Sequence, residues 1–261
     1  MYSLEHITYL NKIKKNKFWI HFWQLIIIVF FLIIWEFLSY KEFINTFLYS
    51  SPSKIAYTIY NLFISNSLLE HIGITVYETF LSFIIASILG FLFASIFWWN
   101  NTIYKIFEPY LTILNSLPKV ALGPLIIIWV GASTNSIIIM ALMISTFISI
   151  INIYNSFNNT DNNYITLMKS MNASKLQIYF KVIIPSNISN IINAFKINIS
   201  MSLIGVIMGE LLVSKKGLGY LIMYGSQIFN INLVLTSTFV LGIISYLMYL
   251  LVNKFKIKKQ N

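Results

Sequence analysis

The chain has 261 residues, of which 57% are hydrophobic and only 10% charged, with mean hydropathy +0.75. A soluble domain is nearer 45–50% apolar, so this composition excludes an ordinary water-soluble globule and directs the apolar excess to lipid. The net charge is +10 and every cation is a lysine; in a soluble protein that balance would suggest a nucleic-acid partner, but these lysines flank apolar runs and no nucleic acid is expected. With no cysteine in the chain, disulfides and thiolate metal sites are excluded too.

A bilayer core takes roughly 20 apolar residues per helix. Continuous apolar runs, rather than the alternating segments of a barrel, predict helices as the spanning form. Six spans are expected, at 18–39, 76–98, 111–130, 136–154, 190–212 and 233–252. The first follows Lys12, Lys14, Lys15 and Lys17, is too long for a cleaved signal, and lacks a small-residue cleavage site, so it reads as a retained helix. Residues 40–75 read as an outer connection, with Ser51-Pro52-Ser53 as a turn and an amphipathic stretch from Ile55 to Leu69 along the interface. The third span is the least regular, because Pro118 and Pro124 interrupt it. Such breaks are tolerated where they are buried or line a cavity, so that stretch reads either as a kinked packing helix or as a pathway-lining one.

Residues 155–189 form the longest inner connection. Asp161 is placed to cap a first short helix, and Asn172 stands where it should stop, asparagine tolerating the left-handed conformation second only to glycine. Ser174 and Gln177 have capping-box spacing for a second helix, which Pro185 is expected to separate from the following span. The product is a helix–turn–helix knob carrying Ile165, Met168, Leu176 and Phe180 among lysines, a shape suited to a groove on a partner.

Lysine placement orients the chain. With both termini inside, fourteen lysines fall on inner segments, including Lys105, Lys119, Lys169, Lys175, Lys181, Lys196, Lys254, Lys256, Lys258 and Lys259, against Lys41, Lys54, Lys215 and Lys216 outside. Trp19, Trp23, Trp35, Trp98, Trp99 and Trp129 all fall near span ends, where indoles prefer to sit.

Small residues recur at helical spacing. Gly205 and Gly209 form a G-x-x-x-G face in the fifth span, and Ala86, Gly90 and Ala94 a similar ridge in the second. Packing within one subunit and contact with a second copy are both open readings. Glu210 is an acidic residue near the end of an apolar span, and reads either as a snorkelling carboxylate near Lys215 and Lys216 or as a gating group. Glu36, Glu78 and Glu108 read as interfacial. His6, His21 and His71 fall on ends or loops at no metal-ligand spacing. No clustered acid–base set supports an enzyme, and no G-x-x-x-x-G-K-[ST] loop is present for ATP. A stand-alone secondary transporter or channel would be expected to show internal repeats or buried coupling charges, and neither stands out.

The stretch from Met168 through Asn172-Ala173-Ser174 to Val182-Ile183-Ile184-Pro185 resembles the "EAA" loop of bacterial binding-protein-dependent ABC transporter permeases. Ala173, Ser174, Val182 and Pro185 match that pattern, Asn172 stands in for its glycine and Met168 for its alanine. Leu117-Pro118-Lys119-Val120-Ala121-Leu122-Gly123-Pro124-Leu125 with Trp129-Val130-Gly131, and Glu210 with Gly217-Leu218-Gly219-Tyr220-Leu221-Ile222, are similar to motifs of the nitrate, sulfonate and taurine branch, so the resemblance covers roughly residues 50–255. It implies an all-α membrane protein of the type I ABC importer permease kind in the bacterial inner membrane. The implied organisation is a first helix with its cytoplasmic N-terminus at 1–40, an outer loop at 41–75, a core permease domain at 76–255 and a cytoplasmic tail at 256–261. Asp161, Ile165, Met168, Asn172, Ala173, Ser174, Leu176, Gln177 and Pro185 would form the loop that docks on cytoplasmic ATPase subunits. A second permease copy and an extracytoplasmic solute-binding protein are the other implied partners. No cofactor is implied, and ATP hydrolysis would reside on a separate chain.

Overall fold

The computed structural model describes residues 4–254. Lys256, Lys258, Lys259 and the rest of the 256–261 tail lie outside the described residues, as do the side chains of His6, Lys12, Lys14, Lys17 and His21. Every regular element among the described residues is helical. In chain order these are α1 (Leu4–Tyr40), α2 (Thr46–Tyr49), α3 (Pro52–Ile64), α4 (Ser67–Trp99), α5 (Asn101–Ser116), a 3-10 turn (Lys119–Leu122) and α6 (Gly123–Val130). They continue with α7 (Thr134–Asn158), α8 (Asn162–Ser170), α9 (Lys175–Ile178), a π turn (Tyr179–Ile183), α10 (Ile184–Val213), α11 (Leu218–Gln227) and α12 (Ile231–Lys254).

Five helical stretches are long and apolar enough to cross a membrane: Phe18–Tyr40, Ser67–Trp99, Thr134–Asn158, Lys175–Val213 and Ile231–Lys254. The expected third span, 111–130, is not one helix. Asn101–Ser116 and Lys119–Val130 meet at 85°. Leu117 is extended (φ −60°, ψ 141°), as a residue before proline prefers to be, and Pro118 has no N–H with which to continue the helix. The second arm, twelve residues, spans only about 20 Å, short of a hydrocarbon core of about 30 Å.

Two other boundaries differ from the sequence reading. The amphipathic stretch 55–69 is divided at Ser65 and Asn66, where Asn66 takes φ 56°, and Leu69 belongs to α4. The neighbouring spans are longer than 136–154 and 190–212, so the inner connection is shorter than 155–189.

The heart of the fold is α7 packed between α4 and α10. Its contact surfaces combine large apolar residues, among them Ile137, Ile153 and Phe157 on α7 and Ile199 on α10, with an unusual number of small and polar ones. Thr75, Thr79, Ser82, Ala86, Gly90 and Ala94 are buried on α4, Ser136, Ala141, Ser145 and Ser149 on α7, and Asn198, Ser202, Gly205 and Gly209 on α10. On α4 many large apolar side chains point away, as with Ile88, Leu92, Phe93 and Ile96. This arrangement fits lipid as solvent, because there the gain comes from close backbone approach rather than from burying leucine. A Cβ on Gly205 would run into the Ala141 backbone, and one on Gly209 would come within 2.9 Å of Ile137 Cα. One on Gly90 would overlap the Ser149 side chain. Asn198 adds a polar bridge, its amide oxygen facing Ser87 Oγ at 2.7 Å and its nitrogen the Ser145 carbonyl at 3.2 Å. By contrast α1 lies at the periphery against α3, with none of the apolar window of its span buried.

Candidate coupling and transport site

The knob is built from local caps. The Asp161 carboxylate accepts the Asn163 N–H at 2.9 Å and starts α8. The helix closes with the Ala173 N–H on the Met168 carbonyl (3.0 Å) and the Asn172 N–H on the Lys169 carbonyl (2.9 Å). Asn172 sits at φ 55°, the left-handed conformation that reverses the chain. Ser174 and Gln177 form a reciprocal capping box, Gln177 N–H to Ser174 Oγ at 3.3 Å and Ser174 N–H to Gln177 Oε1 at 2.8 Å.

Two parts of the knob differ from the sequence reading. Ile165 and Met168 do not face outward with Leu176 and Phe180. They and Ala173 are half-buried against a core cluster containing Phe97, Tyr154, Phe157, Ile178, Tyr179 and Ile183. The outward stripe of α8 is instead Tyr164, Leu167 and Met171, 56%, 59% and 71% exposed, at i, i+3 and i+7 on one face. Leu176 and Phe180 are also exposed. Nor does Pro185 separate the second helix from the next span, since Lys175–Val213 runs on as one helical stretch. The π turn over Tyr179–Ile183, closed by the Ile184 N–H on the Tyr179 carbonyl, shifts the register just before the proline. That wider turn accommodates a ring that lacks an N–H and would otherwise press on the preceding turn.

The knob is tied to the helices above it. Tyr179 Oη and Ser95 Oγ are 2.6 Å apart. The Lys175 ammonium lies over the Trp98 and Trp99 rings, 5.6 and 5.4 Å from their centroids, and donates to the Trp99 carbonyl. On the other side, Asn187 Nδ2 reaches Thr160 Oγ1 at 2.6 Å.

Pro118 stands at the 85° elbow and Pro124 in the first turn of α6. The second arm lies against α7 and α10, with Gly123 close to Leu212 and Met140.

Glu210 is not a snorkelling carboxylate; it is 1% exposed. Its Oε1 accepts from Thr75 Oγ1 at 2.6 Å and its Oε2 from the Gly219 N–H at 2.6 Å. Thr75 Oγ1 also accepts the Leu218 N–H (2.9 Å), and His71 Nδ1 the Gly217 N–H (2.9 Å). Three successive N–H groups at the start of α11 are thus taken by side chains of α4 and α10, with an acidic group at the helix's positive end. The chain passes so close that a Cβ on Gly217, at φ 112°, would overlap the Glu210 carboxyl. Glu78, read from sequence as interfacial, is also 1% exposed. It lies one turn along α4 from Thr75, and its Oε2 has no hydrogen-bond partner. Sequence reasoning missed Thr75 as a partner of Glu210, and His71 and Glu78 as members of the same buried cluster. The readable signal was a stripe of Thr75, Glu78, Thr79 and Ser82 at helical spacing, in line with Ala86, Gly90 and Ala94.

Residues 83–255 match the family model described as "Binding-protein-dependent transport system inner membrane component". The chain belongs to this family. It is a multi-pass permease subunit of the ABC importer type. The permease is 25% identical to a probable ABC transporter permease protein of Haemophilus influenzae, over 86% of this chain and 91% of that protein. It is 27% identical to the formylaminopyrimidine transport permease protein ThiX of Halalkalibacterium halodurans, over 72% and 75%. To the putative aliphatic sulfonates transport permease protein SsuC of Bacillus subtilis it is 24% identical, over 82% and 78%. Its fold is that of a chain in an inward-facing structure of the MetNI methionine ABC transporter, with TM-score 0.65 at 19% identity over 73% of this chain and 95% of that one.

Proposed function

We propose that two copies of the permease pair around a translocation pathway in a bacterial cytoplasmic membrane, with both termini inside, and that the Asp161–Pro185 knob of each copy docks on a separate cytoplasmic ATPase subunit. A solute-binding protein on the outer side delivers a small solute, in the class of aliphatic sulfonates or formylaminopyrimidines that the relatives' names indicate. The observation that carries this reading is the left-handed Asn172 bend, which projects Tyr164, Leu167 and Met171 away from the protein's own core. An exposed apolar helix face between polar caps is the anchor pattern of a helix seated in a groove. Coupling is mechanical. The Lys175 and Tyr179 contacts join the knob to α4, and the unbroken run from Lys175 to Val213 joins it to α10. ATPase closure then moves the knob, and with it the helices packed on α7. No bond is made or broken in this chain.

The test is Asn172→Val in the assembled complex. Valine resists the left-handed conformation, so the variant should insert into the membrane and lose transport-linked stimulation of ATP hydrolysis. Stimulation equal to the parent's would reject the docking role. So would cross-linking from Leu167 or Met171 that never captures the ATPase.

A further inference from the structure

The Glu210 cluster contains more acid than its donors can satisfy. Glu78 and Glu210 are both 1% exposed, and Glu78 stands one turn along the same buried face of α4 from Thr75, which bonds Glu210. Glu210 finds donors for both of its oxygens, Thr75 Oγ1 and the Gly219 N–H, and stands at the positive end of α11. Glu78 Oε2 finds none. Among the described residues the one salt bridge is Lys216 with Glu70, at the exposed rim, so no lysine neutralises the buried pair. Two buried carboxylates on facing turns, with no cation between them, cannot both remain ionised. Either a proton or a small cation must lie between them.

We infer that Glu78 is a proton-binding site, held as a neutral carboxylic acid whose O–H donates to the Glu210 carboxylate. The geometry assigns the proton to Glu78 rather than Glu210. Glu210 has two donors aimed at it, Thr75 Oγ1 and the Gly219 N–H, and a helix N-terminus facing it, all of which favour its anion. Glu78 has an oxygen without a donor, which a carboxylic acid hydroxyl satisfies by becoming a donor itself. The shared proton completes the latch that ties α4, α10 and α11 together. The surrounding ionisable groups are consistent. On α4, His71 accepts through Nδ1 and so carries its proton on Nε2, and Glu70 is engaged by Lys216 from the α10–α11 connection. From α11 come Tyr220 and Tyr224, of which Tyr220 stacks on His71; α7 begins with Thr134, which does not ionise. Strong base should withdraw the proton and loosen the latch.

Infrared difference spectroscopy on the purified permease in nanodiscs tests this directly. At neutral pH the parent should show the carbonyl stretch of a protonated carboxylic acid, absent in Glu78→Gln and moved but retained in Glu78→Asp. Thermal melting adds a second reading that needs no band assignment. Glu78→Gln keeps the donor, so it should melt with the parent at neutral pH, and it should lose the parent's fall in melting temperature in alkali. Absence of the acid band from the parent overturns the proposal. So does an identical alkaline fall in Glu78→Gln, or a melting temperature that rises with added sodium, potassium or calcium ions and shows a metal cation in place of the proton.

Discussion

The knob and the Glu210 latch lie at opposite ends of α10 and are built in opposite ways. Every bond that shapes the knob's bend joins residues within six positions of each other, and its apolar stripe points outward. The latch joins His71, Thr75 and Glu78 to Glu210 and to Gly217–Gly219, across as many as 146 positions, and directs its polar groups inward. The contrast separates a part that needs another protein to bury its surface from a part whose polar groups are buried within its own chain. Substitutions in the latch should therefore cost stability, and substitutions on the knob's outer face should cost coupling.

The largest expected effect is at Gly217. Gly217→Val adds a branched side chain at φ 112° where even a Cβ overlaps the Glu210 carboxyl, and should cost about 4 kcal/mol or more, enough to eliminate folded protein. Detergent-extracted yield and thermal melting would read it, and a parent-like melting temperature would dissolve the latch. Next is Glu210→Ala, which strands Thr75 Oγ1 and the Gly219 N–H, at about 2–3 kcal/mol in the same assay. Gly205→Ala should cost about 1–3 kcal/mol by forcing α10 off α7, which would place helix packing between the two ends in sensitivity. Ser174→Ala removes one half of a capping box and should cost about 1 kcal/mol, visible as faster hydrogen exchange confined to α9. Smallest in stability is Met171→Ala, within about 0.5 kcal/mol of the parent because the side chain is 71% exposed. Yet this variant should weaken capture of the ATPase. If it instead destabilised the isolated permease, the two ends would not differ in the way argued here.

The same contrast explains what could be read beforehand. Asp161, Asn172, Ser174 and Gln177 announce their conformations because capping chemistry acts over three or four residues. Their structural behaviour is therefore written in the local sequence. Which apolar residues of the knob face outward was not. Ile165 and Met168 turn inward because Phe97, Tyr154 and Phe157 wait there, and that depends on how α4 and α7 meet. Pro118 was visible as a breaker, but the 85° angle was not, since a proline states that a helix stops and leaves the next direction to packing. Pro185 misled for the converse reason, because a π turn absorbed it.

Sequence alone determined the solvent and the material: apolar runs of the right length, with caps and breakers at particular residues, because lipid thickness and hydrogen-bond closure act along the chain. The tertiary structure decided which surfaces meet. It buried the small and polar faces of α4, α7 and α10 against one another and left Ile88, Leu92 and Phe93 of α4 to lipid. It also turned Glu210, Glu78 and His71 from apparent rim residues into one closed cluster. That decision rests on distances between segments far apart in the chain, which no local pattern encodes.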